Sequence, residues 1–343
     1  RDILVTFPLK PSISIRSPIR KGLLKAIIIP ERKFSPISFK ANPMIKVVIP
    51  APAKILSVIS PKPKILSEIT NNRMVVRAVM GGNPALAWYH TFTTIQPVQD
   101  PITDYTNLVW SDEFNTDGAP DSNKWGYDLG NGNGFGNNEL QYYTNRPSNV
   151  KVENGMLNIT ARNEQYMGKS YTSARILTKG KFEKKYGRIE ARIKLPRGKG
   201  LWPAFWMLGS NIDQVGWPQC GEIDIMEYLG NNPTQILGTL HGPGFSGGES
   251  ISKTYTLKNS RFDNEFHVFG VEWSENHINW YVDNVLYNQI TRKQVEAEGG
   301  EWVFDNSFFM ILNMAVGGDL PGSPNSSTTF PQRMLVDYVR VYQ

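Results

Sequence analysis

The sequence predicts an all-β domain over residues 105–343, an antiparallel sandwich or jelly roll, preceded by an irregular segment over residues 1–100. Three observations carry this. From about Tyr105 onward, short segments alternate apolar and polar residues and are separated by Gly, Asn and Pro, the pattern of strands and turns. No stretch holds a long amphipathic helical period, so strands follow strands without crossover helices. Composition also breaks near residue 95: 11 of the 23 prolines precede it, whereas eight of the nine tryptophans and 13 of the 14 tyrosines follow it.

Residues 1–95 carry short Ile-rich runs between Lys, Ser and Pro, as in KPSISIRSPIRK and PKPKILSEI. The prolines recur too often for helices or central strands. An extended or disordered arm, or a weakly structured linker, is expected there. Charge divides at the same place, with 15 Lys/Arg against 3 Asp/Glu over residues 1–95 and 22 against 28 over residues 96–343. The basic excess thus belongs to the first part, where aromatic residues able to stack bases are almost absent, so no nucleic-acid partner is expected. Anchoring to an anionic surface is an alternative use of the arm. No apolar run reaches the roughly 18–20 residues of a membrane span. The single Cys220 excludes an intramolecular disulfide and reads as a small buried hydrophobe.

Within the second part the strands can be taken in order. In MLNITA, Leu157, Ile159 and Ala161 alternate with polar residues. In RIEARIKL, Ile189, Ala191, Ile193 and Leu195 face one way, and charged residues the other. In WPAFWML, Trp202, Ala204 and Trp206 share one face, with Phe205 and Met207 on the other. HINWYVDNVLYNQI reads as a hairpin turning at Asp283-Asn284. MLVDYVRVYQ is a final strand, in which alternation places Asp337 on the face of Val339 and Val341. An acid on an apolar face needs a partner.

The octapeptide GEIDIMEY, residues 221–228, is the most informative segment. On a flat strand Glu222 and Asp224 share a face, with Ile223 and Ile225 opposite. Glu227 is five positions from Glu222, an odd step, and would be buried unpaired on the core side. One extra residue near Met226, a β-bulge, returns it to the face of the other two acids. Three acids at this spacing suit an exposed strand face as well as a cleft, but the two neighbouring tryptophans on one face favour a sugar-stacking platform. Glycosidic hydrolysis with retention needs two carboxyls about 5–5.5 Å apart. A third acid between them couples their titrations and keeps one protonated near neutral pH.

GEIDIMEY resembles the active-site signature of glycoside hydrolase family 16, in the form with an extra residue found in its laminarinase-like members. The resemblance spans about residues 105–343. It includes LVWSDEFN, NNELQYYT, WPAFWML, GTLHGP, FHVFGVEW, LNMAVGG and VDYVRVYQ in order. It implies a β-jelly roll of two curved antiparallel sheets with a concave active-site cleft, and double displacement with retention. Glu222 then resembles the nucleophile, Asp224 the assisting acid and Glu227 the acid/base. His241 resembles a histidine placed beside them. Trp202, Trp206, Asn138 and Arg175, with Trp217 and Glu139, match positions that line glucan subsites. Glu113, the carbonyl of Gly155 and Asp337 could hold the structural Ca²⁺ that many members carry, while catalysis needs no cofactor.

The resemblance further implies a secreted, monomeric endo-acting enzyme on β-1,3-glucans of the laminarin type, with mixed β-1,3-1,4-glucans as a second substrate. Agarase or carrageenase activity is the alternative within the family, and a non-catalytic glucan-binding protein the alternative outside enzymes. The net acidic catalytic part argues against sulfated substrates, and the presence of all three acids argues against a binding-only protein.

Overall fold

The computed structural model describes residues 105–343 throughout; over residues 1–104 it describes backbone strands alone. The chain divides into two compact units, Arg1–Gln99 and Asp100–Gln343. In the first, β1 (Asp2–Thr6), β2 (Ser12–Arg16) and β3 (Lys25–Ile27) form one sheet in the order β2-β1-β3. A second sheet runs β4-β5-β6, from β4 (Lys64–Thr70), β5 (Arg73–Val79) and β6 (Trp88–Thr93). None of the six contains proline. The strands occupy the Pro-free runs, as the missing N–H of proline requires of ladder positions. The expectation of an irregular arm otherwise lies outside the described residues.

The second unit contains β7 (Leu108–Asp112), β8 (Gly126–Tyr127), β9 (Gln141–Tyr143), β10 (Val150–Glu153), β11 (Met156–Tyr166), β12 (Lys169–Ser173) and β13 (Arg175–Leu177). It continues with β14 (Gly187–Lys194), β15 (Leu201–Gly209), α1 (Ile212–Val215), β16 (Glu222–Glu227), β17 (Gln235–His241) and β18 (Ile251–Thr256). It ends with β19 (His267–Trp273), β20 (His277–Val282), β21 (Val285–Thr291), α2 (Arg292–Ala297), β22 (Phe308–Val316) and β23 (Gln332–Tyr342). Ten of the strands form one sheet, β21-β20-β19-β14-β23-β11-β12-β9, with β10 on β11 and β7 on β23. Seven form the other, β18-β17-β16-β15-β22-β13-β8. Pairing is antiparallel except between β12 and β9. The two sheets pack as the jelly-roll sandwich that the strand pattern predicts. No helix among the described residues is long and apolar enough to cross a membrane.

The core lies between the sheets. Leu157, Ile159 and Ala161 of β11 and Ile189, Ala191 and Ile193 of β14 are fully buried. They join Phe205 and Met207 of β15 and Leu312 and Met314 of β22 in one apolar cluster. Each large side chain withdrawn this way contributes roughly 1.5–3 kcal/mol. The hairpin turns where expected: Asp283 and Asn284 have φ of 50° and 62°, the type I′ signature. Asp283 also accepts from the Val268 N–H (2.9 Å) and pairs with His267 Nδ1 (2.7 Å), which ties the turn to β19.

Alternation fails at one predicted position. Asp337 does not share the face of Val339 and Val341. The register of β23 against β14 shifts between Arg192 and Ile193, which leaves Asp337 as an extra residue. This second bulge turns its side chain outward, where Arg192 Nη1 donates to Oδ2 at 2.7 Å. The buried set on β23 is Met334, Val336, Val339 and Val341.

Gly238 on β17 leaves no room for a side chain against β20 and β21 of the other sheet. A Cβ there would lie 2.3 Å from Tyr287 Oη and 2.6 Å from Trp280 Cδ1. Gly238→Ala is therefore expected to destabilise the protein by about 1–3 kcal/mol, measured by urea denaturation. An unchanged midpoint would mean that the two rings move aside freely.

Candidate active site

Four strands of the seven-stranded sheet, β22, β15, β16 and β17, form the floor of a cleft of about 900 Å³. Along β15 the cleft is lined by Trp202, Ala204, Trp206 and Leu208. Phe205 and Met207 point the other way into the core, as alternation requires. Glu222, Asp224 and Glu227 all line the cleft from β16. The device that aligns them is the bulge: β15 pairs Trp206 with Asp224 and Phe205 with Met226, so Ile225 has no partner. The register against β17 shifts in the same interval. Ile223, Ile225 and Met226 all enter the core, and two successive inward side chains return Glu227 to the cleft.

Each acid has a distinct partner. Trp217 Nε1 donates to Glu222 Oε2 at 2.7 Å. His241 Nε2 lies 3.2 Å from Asp224 Oδ2, while its Nδ1 accepts the Gly247 N–H at 3.1 Å. That second bond places the neutral-ring proton on Nε2, facing Asp224. Thr239 Oγ1 donates to Glu227 Oε2 at 2.8 Å. The β17 partners reach diagonally. His241 stands opposite Glu222 but faces Asp224, and Thr239 stands opposite Asp224 but bonds Glu227. Such diagonal neighbours lie within side-chain reach in an antiparallel pair. Glu222 is left with a donor from the loop before its strand.

Burial pushes all three carboxyls upward, and the charge of a neighbouring acid adds to it for Glu222 and Asp224. Glu222 rises well above the usual range through burial and then through the charge of Asp224, against the pull of His241 and Trp217. Asp224 rises through burial and the charge of Glu227. Glu227 rises through burial, opposed by the Thr239 hydroxyl, His241 and the Trp202 indole. Close acids titrate as a set, and these shifts all favour the protonated form. A carboxyl held toward its protonated form is what general-acid chemistry needs.

The remaining predicted positions divide. Arg175 stacks its guanidinium between Trp206 (4.8 Å to the ring centroid) and Phe135 (5.0 Å), with Nε 3.0 Å from Asp128. Trp217 is 46% exposed at the rim, its ring 5.9 Å from that of His241, so it can meet a ligand directly. Glu139 lines the cleft but is buried, receiving Gln141 Nε2 (2.6 Å) and the Tyr143 hydroxyl (3.2 Å). Burial raises its carboxyl. Asn138 has φ of 55°, donates to the Asp319 carboxylate (3.0 Å) and does not line the cleft; its neighbour Asn137 does.

Sequence reasoning missed Thr239, Tyr143 and Asn313. The last two form a chain in which Trp206 Nε1 donates to Asn313 Oδ1 (2.7 Å), Asn313 Nδ2 to the Tyr143 oxygen (3.0 Å), and the Tyr143 hydroxyl to Glu139. Strand Thr, Tyr and Asn are common, and nothing in the pattern singled these out.

Glu222, Asp224 and His241 each bring a ligand atom within 4.8 Å of the others, the one such group among the described residues. The predicted calcium set does not fit an ion as its side chains stand. Glu113 receives Arg340 through Nε at Oε1 (3.0 Å) and Nη2 at Oε2 (2.8 Å). Asp337 is turned to Arg192 by its bulge, and Gly155 occupies a turn with φ of 72°. A cation bound there would have to displace an arginine. Cys220 is buried with Leu208, Phe309 and Ile311, its thiol pushed up to about 11 by burial and the charge of Glu222.

Comparison with known proteins agrees with this geometry. The family model described as Glycosyl hydrolases family 16 matches residues 137–340. The chain is 44% identical over 243 residues to a beta-glucanase of Rhodothermus marinus, covering 69% of this chain and 85% of that protein. It is 40% identical over 266 residues to glucan endo-1,3-beta-glucosidase A1 of Niallia circulans, covering 71% of this chain and 39% of that one. The laminarinase catalytic domain from Thermotoga maritima superposes with a TM-score of 0.67 at 54% identity, covering 69% of this chain and 98% of that domain.

Proposed function

This chain belongs to the glycosyl hydrolases of family 16, and on that premise we propose that it is an endo-acting, retaining β-1,3-glucanase of laminarin-like glucans, with mixed β-1,3-1,4-glucans as a second substrate. The observation that carries the reading is the bulge-aligned row of Glu222, Asp224 and Glu227 on the floor of a cleft walled by Trp202, Trp206 and Trp217. Lining residues come from β13, β22, β15, β16, β17 and β18, six adjacent strands. At roughly 4.8 Å per strand this spans on the order of 24 Å, enough for several sugar units and so for attack within a chain. The names of the relatives support the β-1,3 linkage.

In the proposed reaction Glu222 attacks the anomeric carbon from one face. The bond to the leaving oxygen breaks, its electron pair stays with that oxygen, and Glu227 supplies the proton. Water then attacks the same carbon and gives its proton to Glu227, and the bond to Glu222 breaks, returning the carboxylate. Two inversions give retention. Asp224, beside His241, sits between the two and modulates the charge of Glu222. A polymer of this size does not enter cells, so we place the enzyme outside them.

Initial products from laminarin, lichenan, agarose and carrageenan, followed side by side by NMR, test this. β-Anomeric oligosaccharides from the two glucans and none from the galactans are expected. Cleavage confined to agarose or carrageenan, or initial α-anomers, would overturn it.

A further inference from the structure

We infer that Thr239, backed by Ser252, is a positioning residue for Glu227 that holds its carboxylate ready for the second half of the reaction, the hydrolysis of the glycosyl-enzyme. The inference rests on the proposed retaining mechanism and concerns a residue outside the three acids. Thr239 stands opposite Asp224 on β16 and opposite Ser252 on β18. Its Oγ1 is 2.8 Å from Glu227 Oε2 and 3.1 Å from Ser252 Oγ. When Thr239 gives its only hydroxyl hydrogen to an ionised Glu227, its oxygen can bond Ser252 solely as an acceptor. The order is then Ser252 to Thr239 to Glu227, a chain in which each bond polarises the next. Thr239 is 3% exposed, so water cannot easily take its place, whereas Ser252 is exposed on the cleft side.

This arrangement acts differently on the two chemical steps. In the first, Glu227 must carry a proton and release it to the leaving oxygen. With Oε2 occupied by the Thr239 donor, that proton is left to Oε1. In the second, Glu227 must begin ionised and accept a proton from water as the oxygen of that water joins the anomeric carbon and the bond to Glu222 breaks. A hydroxyl donating to Oε2 favours this ionised form, in the direction Thr239 moves the Glu227 carboxyl. The other titratable groups around Glu227 are Glu222 and Asp224 on its own strand, His241 on β17 and Tyr287 on β21. Tyr287 Oη is buried without a hydrogen-bond partner. None of these donates to Glu227 Oε2, so removal of the Thr239 hydroxyl leaves that oxygen without its described donor.

The test compares the full chain with Thr239→Val, Thr239→Ser and Ser252→Ala. The substrate is an aryl β-laminaribioside with a 2,4-dinitrophenol leaving group, which departs without acid assistance. Steady-state kinetics are run with and without sodium azide, whose anion attacks without a general base. Melting temperatures report folding. For Thr239→Val we expect kcat to fall about 10- to 100-fold, the range for a lost hydrogen bond to a charged group. KM should fall with it as the glycosyl-enzyme accumulates, azide should recover most of the rate, and the alkaline limb on laminarin should move to higher pH. Thr239→Ser should recover most of the wild-type rate, and Ser252→Ala should fall in between. A folded Thr239→Val with wild-type kcat would overturn the inference. So would a loss that azide does not recover, or a Thr239→Ser variant that folds and is no better than Val. Failure of the underlying reading is distinguishable, because wild type would then show no burst of dinitrophenol, and Glu227→Ala would give no β-laminaribiosyl azide.

Discussion

Glu222→Gln is expected to abolish release of reducing sugar from laminarin, a loss of at least about 10³-fold in kcat, and to raise the melting temperature at pH 7. Both effects have one source. Burial and the charge of Asp224 raise the Glu222 carboxyl in the folded protein. A carboxyl whose folded value lies above its unfolded one stabilises the fold fully at pH values below the unfolded value, near 4.5. That contribution is lost as pH rises through the folded value. At pH 7, above the unfolded value, ionisation favours the unfolded chain over the fold, and Glu222 is thus a strain on the fold. Gln, neutral and similar in shape, relieves it. The gain in melting temperature should shrink toward pH 4, where Glu222 is itself protonated. Laminarin assays and calorimetry at pH 4 and pH 7 check the two halves. Wild-type activity in the variant would dismiss Glu222 as nucleophile, and an equal or lower melting temperature at pH 7 would dismiss the account of its burial.

The second large effect falls on a residue that never meets substrate. Trp280 is fully buried, belongs to the ten-stranded sheet, and donates Nε1 to the backbone carbonyl of Asp224 at 2.8 Å. That carbonyl lies at the bulge, where the ladder is interrupted and backbone groups lose their strand partners. One indole thus fills the space beneath Gly238 and satisfies the carbonyl next to the extra residue. Trp280→Ala is expected to cost about 3–5 kcal/mol from the cavity alone. Trp280→Phe retains most of the ring and removes the donor. It should cost about 1–3 kcal/mol and lower kcat about tenfold, with KM nearly unchanged, because the bulge that aims Glu227 loosens. Urea denaturation and laminarin kinetics measure both. If Trp280→Phe lost stability with kcat intact, the indole would be a core residue with no part in aligning the acids.

The row of three acids was legible in the sequence for a physical reason. Three acids among Ile and Met at an odd step cannot all avoid burial on a regular strand, so the pattern itself demanded a bulge. The two-residue hairpin turn at Asp283-Asn284 and the inward faces of β11, β14 and β15 were legible because alternation and turn chemistry are local. Asp337 was misplaced because the same local rule was trusted on β23, where no odd-spaced acid announced that a residue had been inserted. Asn138 was assigned to the cleft, yet a left-handed backbone at that residue sends its side chain to Asp319 and leaves Asn137 at the cleft. Thr239 and Asn313 were silent because their roles depend on which strand lies beside which. β22 enters next to β15 more than a hundred residues later in the chain, and no local pattern encodes that pairing.

The unpaired Ile225 also changes which mutations this enzyme should fear. A conservative exchange at that position alters a side chain already in the core. Removing one residue between Asp224 and Glu227 instead makes the step from Glu222 even, so a regular strand keeps all three acids on one face and the bulge loses its purpose. The path of the cleft floor is therefore written in the arithmetic of chain length between two acids as much as in their identity.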